Sequence, residues 1–82
     1  KRYQAVVSGV IQRGVFVEVV ENKCEGLVKA KDLPGDFYVY DLKNHMFQGE
    51  RTGKKYQLGD EVFVILQSTD LVKKQLDFQV VS

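Results

Sequence analysis

The chain has 82 residues, of which 44% are hydrophobic and 28% charged, and this composition indicates one small folded domain and excludes a disordered segment. No apolar run approaches the ~20 residues that a membrane-spanning helix needs, so we expect no membrane partner. The net charge of +1 does not by itself indicate a nucleic-acid-binding protein, although basic residues cluster at 51–55 and 73–74.

Cys24 is the only cysteine in the chain. It excludes an intramolecular disulfide and a cysteine-based zinc site, and it fits a reducing, cytoplasmic compartment. The sequence begins at Lys1 without a methionine. We therefore expect residues 1–82 to be a single domain excised from a longer protein.

The first predicted strand covers residues 3–12. Its more apolar face, which we expect to point inward, comprises Tyr3, Ala5, Val7, Gly9 and Ile11. Glycine in a strand often marks a sharp bend or the close approach of a neighbouring strand. We expect Gly9 to mark such a bend or such a close approach.

In the second predicted strand, residues 15–20, successive side chains point to opposite faces of the sheet. Val15, Val17 and Val19 share one face, so Phe16 falls on the opposite face, next to Glu18. A polar turn at 21–23 leads to a third strand at 24–29. The pattern thus predicts an apolar inner face with one aromatic ring outside it.

A single helical turn at 30–33, ended by Pro34 and Gly35, separates the third strand from an insert. The insert is predicted as a short strand followed by a hairpin, and two longer strands come after it. The predicted strands of this half are residues 37–42, 45–48, 55–57, 61–69 and 75–81.

No segment keeps a helical apolar period over three turns, so the sequence predicts an all-β fold. Five antiparallel strands with a helical turn after the third favour a small closed barrel, because closure removes exposed sheet edges. The five-stranded oligonucleotide-binding (OB) fold is the prediction, with the hairpin inserted before strand four. An SH3-like barrel is the structural alternative.

Phe16 is the leading candidate for a binding residue. An outward ring can stack on a base of any identity, because every base has a π-face, or it can simply cover the barrel wall. Arg13 and Lys29 flank this ring in the predicted topology. Each could contact phosphate, or each could be an ordinary solvated cation.

Tyr38 and Tyr40 lie on one face of the insert strand and could extend this aromatic surface. We favour the alternative that they pack the insert onto the barrel. His45 has no partner residues that would make a metal or catalytic site. The glycine-rich stretch 49–54 lacks the spacing and the following helix of a phosphate-binding loop, so the sequence predicts no catalytic site.

The stretch G-V-I-Q-R-G-V-F-V-E-V at 9–19, followed by E-G-L-V at 25–28 and a helical turn, resembles the S-one RNA-binding domain, named after the largest small-subunit ribosomal protein. The resemblance covers essentially the whole chain. It implies RNA contacts by the residues at five positions, namely Arg13, Phe16, Lys29, Asp70 and Lys74.

Three positions depart from that family pattern. Arg13 stands where the family often has an aromatic residue, and Lys29 stands where many members have histidine. Gln75 occupies the usual basic position before the last strand, with Lys74 one step earlier. Stacking is therefore expected to depend mainly on Phe16, and phosphate contact on Arg13, Lys29 and Lys74.

The insert and its flanks, from L-P-G-D-F-Y-V-Y-D at 33–41 to D-L-V-K-K-Q-L-D-F at 70–78, resemble the S-one domain of bacterial ribonuclease R, in the ribonuclease II family. These enzymes are 3′→5′ exoribonucleases. The resemblance implies a monomeric accessory domain that grips single-stranded RNA and holds no cofactor. Magnesium is implied only for a separate catalytic domain. The alternatives are a protein-docking module and the S-one domain of another RNA-processing or translation protein.

Overall fold

Five strands close into a barrel in the computed structural model, which describes residues 1–70 and 75–81. Along the described chain the elements are β1 (Arg2–Ile11), β2 (Gly14–Val19), β3 (Glu25–Lys29), the 3₁₀ turn η1 (Ala30–Asp32), β4 (Tyr38–Asp41), β5 (Met46–Gly49), β6 (Lys55–Gln57), β7 (Glu61–Asp70) and β8 (Gln75–Val80). The barrel order is β1-β2-β3-β8-β7, with β7 returning to β1. The predicted all-β fold and the turn after the third strand are confirmed.

One pair of barrel strands is parallel, so the expectation of a wholly antiparallel barrel is wrong in this detail. β3 and β8 run in the same direction and pair at Leu27 and Asp77, whereas the other barrel pairs are antiparallel. A closed ring with an odd number of strands cannot alternate direction throughout. At least one parallel neighbour is required, and the OB fold places it between the third and the last barrel strand.

Strand β2 supplies a central part of the barrel interior. Val15 and Val17 are fully buried and Val19 is 2% exposed, as the alternation predicted. Burying such a side chain contributes about 1.5–3 kcal/mol. The other members of the buried cluster that come from barrel strands are Ala5, Val7, Val28, Val62, Val64, Phe78 and Val80.

A β-bulge interrupts β1 and corrects the predicted inner face of that strand. The pairing with β2 shifts between Val7 and Gly9, so one extra residue enters β1. An extra residue reverses the alternation that follows it. Val10 consequently packs against the core, whereas Ile11, which was predicted to point inward, is 36% exposed. The bend expected near Gly9 is present as this bulge.

The predicted insert strand and hairpin form one three-stranded antiparallel sheet, β4-β5-β6. Its inner side faces the barrel and extends the hydrophobic core, because Tyr38, Phe47 and Tyr56 belong to the same buried cluster as the barrel valines. Leu33, just after η1, joins them. The insert is therefore an integral part of the packed domain.

The carboxylate of Asp36 ties the loop between β5 and β6 to the segment before β4. It accepts hydrogen bonds from the amides of Phe37 (2.7 Å), Arg51 (3.0 Å) and Thr52 (2.7 Å) and from the Thr52 hydroxyl (2.8 Å). The bond from the Thr52 amide is the largest cause of a lowered Asp36 pKa, about 2 against an ordinary 3.8. The ionised carboxylate thus organises both segments.

Two tyrosines form the contact between β4 and β6. The rings of Tyr38 and Tyr56 meet edge to face, with centroids 5.2 Å apart. The Tyr38 hydroxyl donates to the Pro34 carbonyl oxygen at 3.0 Å, whereas the buried Tyr56 hydroxyl has no hydrogen-bond partner among the described residues. Burial raises the pKa of both phenols, so both hydroxyls stay protonated at neutral pH.

The different environments of these hydroxyls predict opposite effects for two matched substitutions. Tyr38→Phe should lower the free energy of unfolding by about 1 kcal/mol, because it removes a hydrogen bond. Tyr56→Phe should be neutral or stabilising, because it removes a buried hydroxyl without a partner. Urea unfolding of both variants and the parent measures this. A Tyr56→Phe loss larger than that of Tyr38→Phe would contradict the assignment.

The anchoring of the loop by Asp36 should depend on pH only in strong acid. A carboxyl group whose pKa is lowered by folding contributes stability above its unfolded pKa, and that contribution is lost as the pH falls through the folded value. The amide resonances of Arg51 and Thr52 should therefore stay constant from pH 7 to pH 4 and shift with a midpoint at about 2. The control is Asp36→Asn, which should lack this transition. A midpoint near the ordinary 3.8 would argue against the anchor.

Candidate nucleic-acid interface

The ring of Phe16 lies on the outer surface of the barrel, directly over Gly9 of the neighbouring strand. Phe16 pairs with Gly9 on one side and with Leu27 on the other. A Cβ atom built on Gly9 would stand 3.3 Å from Phe16 Cδ2, so the missing side chain leaves the space that the ring occupies. The ring is partly buried, supported from beneath and open to solvent on the remainder.

Two cations lie at one end of this surface, which we define as the outer side of β2 and β3 and call the strand face. Lys29 pairs with Gly14 at the start of β2, two residues from Phe16. Arg13 precedes Gly14, and its carbonyl oxygen accepts the Ala30 amide at 2.9 Å. This hydrogen bond fixes the turn between β1 and β2 against η1.

Neither cation of the strand face is neutralised by another residue that the structure describes. The ion pair in the described part joins Lys1 and Glu21 at 3.6 Å, on the protein surface. Arg13 is exposed and Lys29 is partly buried. Their charges are thus available to an anionic ligand beside Phe16.

The opposite end of the strand face is acidic. Glu18 and Glu25 pair directly across β2 and β3, and Glu25 Oε2 accepts a hydrogen bond from Ser8 Oγ at 2.7 Å. Like charges directly opposite one another are destabilising, and they also repel phosphate. Among the described side chains of this face, those of Arg13 and Lys29 therefore form the end that favours phosphate. The sequence alone does not indicate this pair, because the register of β2 and β3 determines which residues lie opposite one another.

The backbone of Asp70 ends β7 and pairs with Gln75. The parallel register of β3 and β8, Leu27 with Asp77, places the start of β8 at the level of Glu25 rather than of Lys29. The structure thus places Arg13, Phe16 and Lys29 near one end of β2 and β3, and their contacts with RNA stay a prediction. The role predicted for Asp70 stays a prediction, and Lys74 lies outside the described residues.

Tyr38 does not contribute to an aromatic binding surface. It is 9% exposed, it packs on Tyr56, and its hydroxyl is bonded to Pro34. Tyr40 is partly buried, with its ring centroid 5.4 Å from that of Phe47. The burial of Tyr38 agrees with the favoured interpretation, that this residue packs the insert onto the barrel. A contact of Tyr40 with RNA stays a prediction.

No metal-binding cluster is present in the part of the chain that the structure describes. Nowhere in residues 1–70 and 75–81 do three or more His, Cys, Asp or Glu side chains form a cluster that could hold a metal ion. His45 is exposed at the turn before β5 and has a positive φ of 52°. Cys24 is an exposed free thiol. Of the helical residues described, none belongs to a helix long and apolar enough to cross a bilayer.

A closed five-stranded barrel with a supported ring on its second strand and cations beside that ring defines an OB-fold domain of the kind that binds single-stranded nucleic acid. The profile of the family described as "S1 RNA binding domain" matches residues 1–80. The chain belongs to this family, the S-one domain family.

The curated relatives of this chain are larger proteins, the ribonucleases R. The chain is 38% identical over 81 residues to ribonuclease R of Aquifex aeolicus and 31% identical over 80 residues to that of Escherichia coli. These matches cover 99% and 98% of this chain but only 12% and 10% of the two relatives. The chain thus spans about an eighth or less of the length of these curated relatives.

A solved structure shows the same architecture. Ribonuclease R of Mycoplasma genitalium, known in its apo form and in complex with ribose methylated single-stranded RNA, superposes with a TM-score of 0.94 at 26% identity. The superposition covers 99% of this chain and 13% of that protein. The fold of the described residues, including the inserted sheet, is thus similar to that of a domain within a much larger ribonuclease.

Proposed function

We propose that this chain is a single RNA-binding domain that grips single-stranded RNA within a larger 3′→5′ exoribonuclease of the ribonuclease R type. The observation that carries the proposal is the Phe16 ring, which lies on Gly9 and is open to solvent next to Arg13 and Lys29. Membership in the S-one family and the RNA complex of the Mycoplasma genitalium relative support it.

The chemistry proposed for the strand face is stacking combined with charge attraction. A base lies flat on Phe16, and the phosphates next to it contact Lys29 and Arg13. The family resemblance adds contacts by Asp70 and Lys74. Stacking and phosphate contact do not distinguish bases, so the domain binds with little sequence preference. Its role in the parent enzyme is to hold the substrate near the catalytic channel.

The catalytic groups of the parent enzyme are proposed to lie outside these 82 residues. The family resemblance assigns magnesium to a separate catalytic domain. We further propose a cytoplasmic, monomeric domain. The exposed free thiol of Cys24 is compatible with a reducing compartment.

Replacing the ring of Phe16 should weaken RNA binding at every salt concentration. Phe16→Ala should raise the Kd for a single-stranded oligonucleotide by roughly 5- to 150-fold, because stacking contributes about 1–3 kcal/mol per base. Phe16→Trp, which keeps an aromatic face, should retain most of the affinity. Fluorescence anisotropy with labelled oligo-U and oligo-A measures both effects.

The control for this experiment is Phe63→Ala. Phe63 is also an outer aromatic residue, 40% exposed, but it lies on β7 with the Arg2 guanidinium 4.9 Å from its ring centroid. Its removal should leave the Kd unchanged. Equal losses for the two alanine variants, or no loss for Phe16→Ala in a folded protein, would reject the stacking role.

The phosphate contact of Lys29 should be visible in the salt dependence of binding. For single strands, log K falls with log salt concentration with a slope of about −0.7 per phosphate neutralised. Lys29→Ala should therefore make the slope shallower by about 0.7, whereas Phe16→Ala should leave it unchanged. Lys43→Ala, at an exposed turn of the insert, is the matched control. Identical slopes for Lys29→Ala and the parent would exclude this contact.

A further inference from the structure

A groove separates η1 from the start of the inserted sheet. It has a volume of about 280 Å³, and it is lined by Ala30, Lys31, Asp36, Phe37 and Tyr38. The ring of Phe37 is 65% exposed, more than Phe16 or Phe63. A large ring in this position covers little of the core, so most of its surface is available to a ligand.

The backbone that carries Phe37 is held on both sides. Its amide donates to Asp36 Oδ1 at 2.7 Å, and its carbonyl oxygen accepts the Glu50 amide at 2.9 Å. Asp36 is itself fixed by the amides of Arg51 and Thr52. The ring therefore projects from an ordered segment, and a ligand that stacks on it would not first have to order the backbone.

The groove adjoins the basic end of the strand face. Ala30 follows Lys29 directly, and its amide is bonded to the Arg13 carbonyl oxygen at 2.9 Å. Phe16 is two residues from Gly14, or roughly 7 Å along β2, and Gly14 pairs with Lys29. A polymer that leaves Phe16 toward Lys29 consequently reaches η1 and the groove next.

The charges along this path suit a polyanion. Arg13, Lys29 and the exposed Lys31 lie along this path, and a fourth cation, Arg51, is in the loop that binds Asp36. The nearby acids are Asp32 on η1, Asp36 in the groove, and Glu50, whose amide donates to the Phe37 carbonyl oxygen. The charge of Asp36, in the groove itself, is opposed by three amide groups and a hydroxyl. In the other direction, Glu18 and Glu25 would repel the same polymer.

We propose that this groove is a second RNA subsite, in which a base stacks on Phe37 and Lys31 contacts a phosphate of the strand that leaves Phe16 past Lys29. The proposal rests on the proposed function, because it extends the RNA path of the strand face. Continuity with that face, and the cations Arg13, Lys29 and Lys31 along the path, favour RNA over a protein segment as the occupant.

The test compares two lengths of oligo-U on the 82-residue chain. A strand of roughly 4 nucleotides is intended to occupy the strand face alone, and one of roughly 10 nucleotides to reach the groove as well. Phe37→Ala should raise the Kd of the longer strand by at least about fivefold and leave that of the shorter one unchanged. Lys31→Ala should reduce the salt slope for the longer strand only.

Phe63→Ala is the control at both lengths, and circular dichroism verifies that each variant is folded. If Phe37→Ala leaves the longer strand unaffected, or weakens both lengths equally, the subsite is overturned. With normal Phe16 dependence, this outcome rejects the groove as an RNA subsite and leaves the proposed function standing. If no length binds, or Phe16→Ala has no effect at the shorter length, the proposed function fails, and the subsite fails with it.

Discussion

The rest of the molecule depends on one constraint, namely that the side chains of β2 point alternately into and out of a closed barrel. Val15 and Val17 must face inward to fill a small interior, and a strand that buries every second residue must expose those between them. Phe16 is outside for this reason. The bulge in β1 then brings Gly9 opposite Phe16, so that the exposed ring has a flat backbone beneath it.

The inserted sheet adds a second level of organisation to this barrel. Its aromatic side enlarges a core that would otherwise be small for a domain of this size, and its polar loop is organised around one carboxylate, Asp36. Asp36 also fixes the segment that carries Phe37, because its carboxylate accepts the Phe37 amide. An exposed ring is thereby held near the edge of the proposed RNA path without being part of the barrel.

The regular parts of the fold could be predicted because their patterns are local. The faces of β2 follow from Val15, Phe16 and Val17 alone, and the turn after β3 follows from Pro34 and Gly35. A bend at Gly9 could be anticipated, but the extra residue in β1 could not, because Ser8 and Gly9 fit either face of a strand.

The composition of the candidate site was harder to derive, because it depends on which strands become neighbours. Arg13, Phe16 and Lys29 are close in sequence or joined through one hairpin, so their proximity could be anticipated. The opposition of Glu18 and Glu25 requires the register of that hairpin, and the position of Asp70 requires the parallel pairing of β3 with β8. The burial of Tyr38 depends on its contact with Tyr56, 18 residues later.

The acidic pair also makes the electrostatic potential of the strand face differ between its two ends. A potential that is positive beside Lys29 and negative beside Glu25 forms a surface dipole along β3, across a distance of roughly 13 Å. A neutral planar molecule would experience little of this gradient, whereas a charged chain would be drawn to one side of the ring and turned away on the other. This asymmetric potential lets the strand face distinguish the two directions in which a charged chain can leave the ring. Stacking on Phe16 alone does not distinguish them.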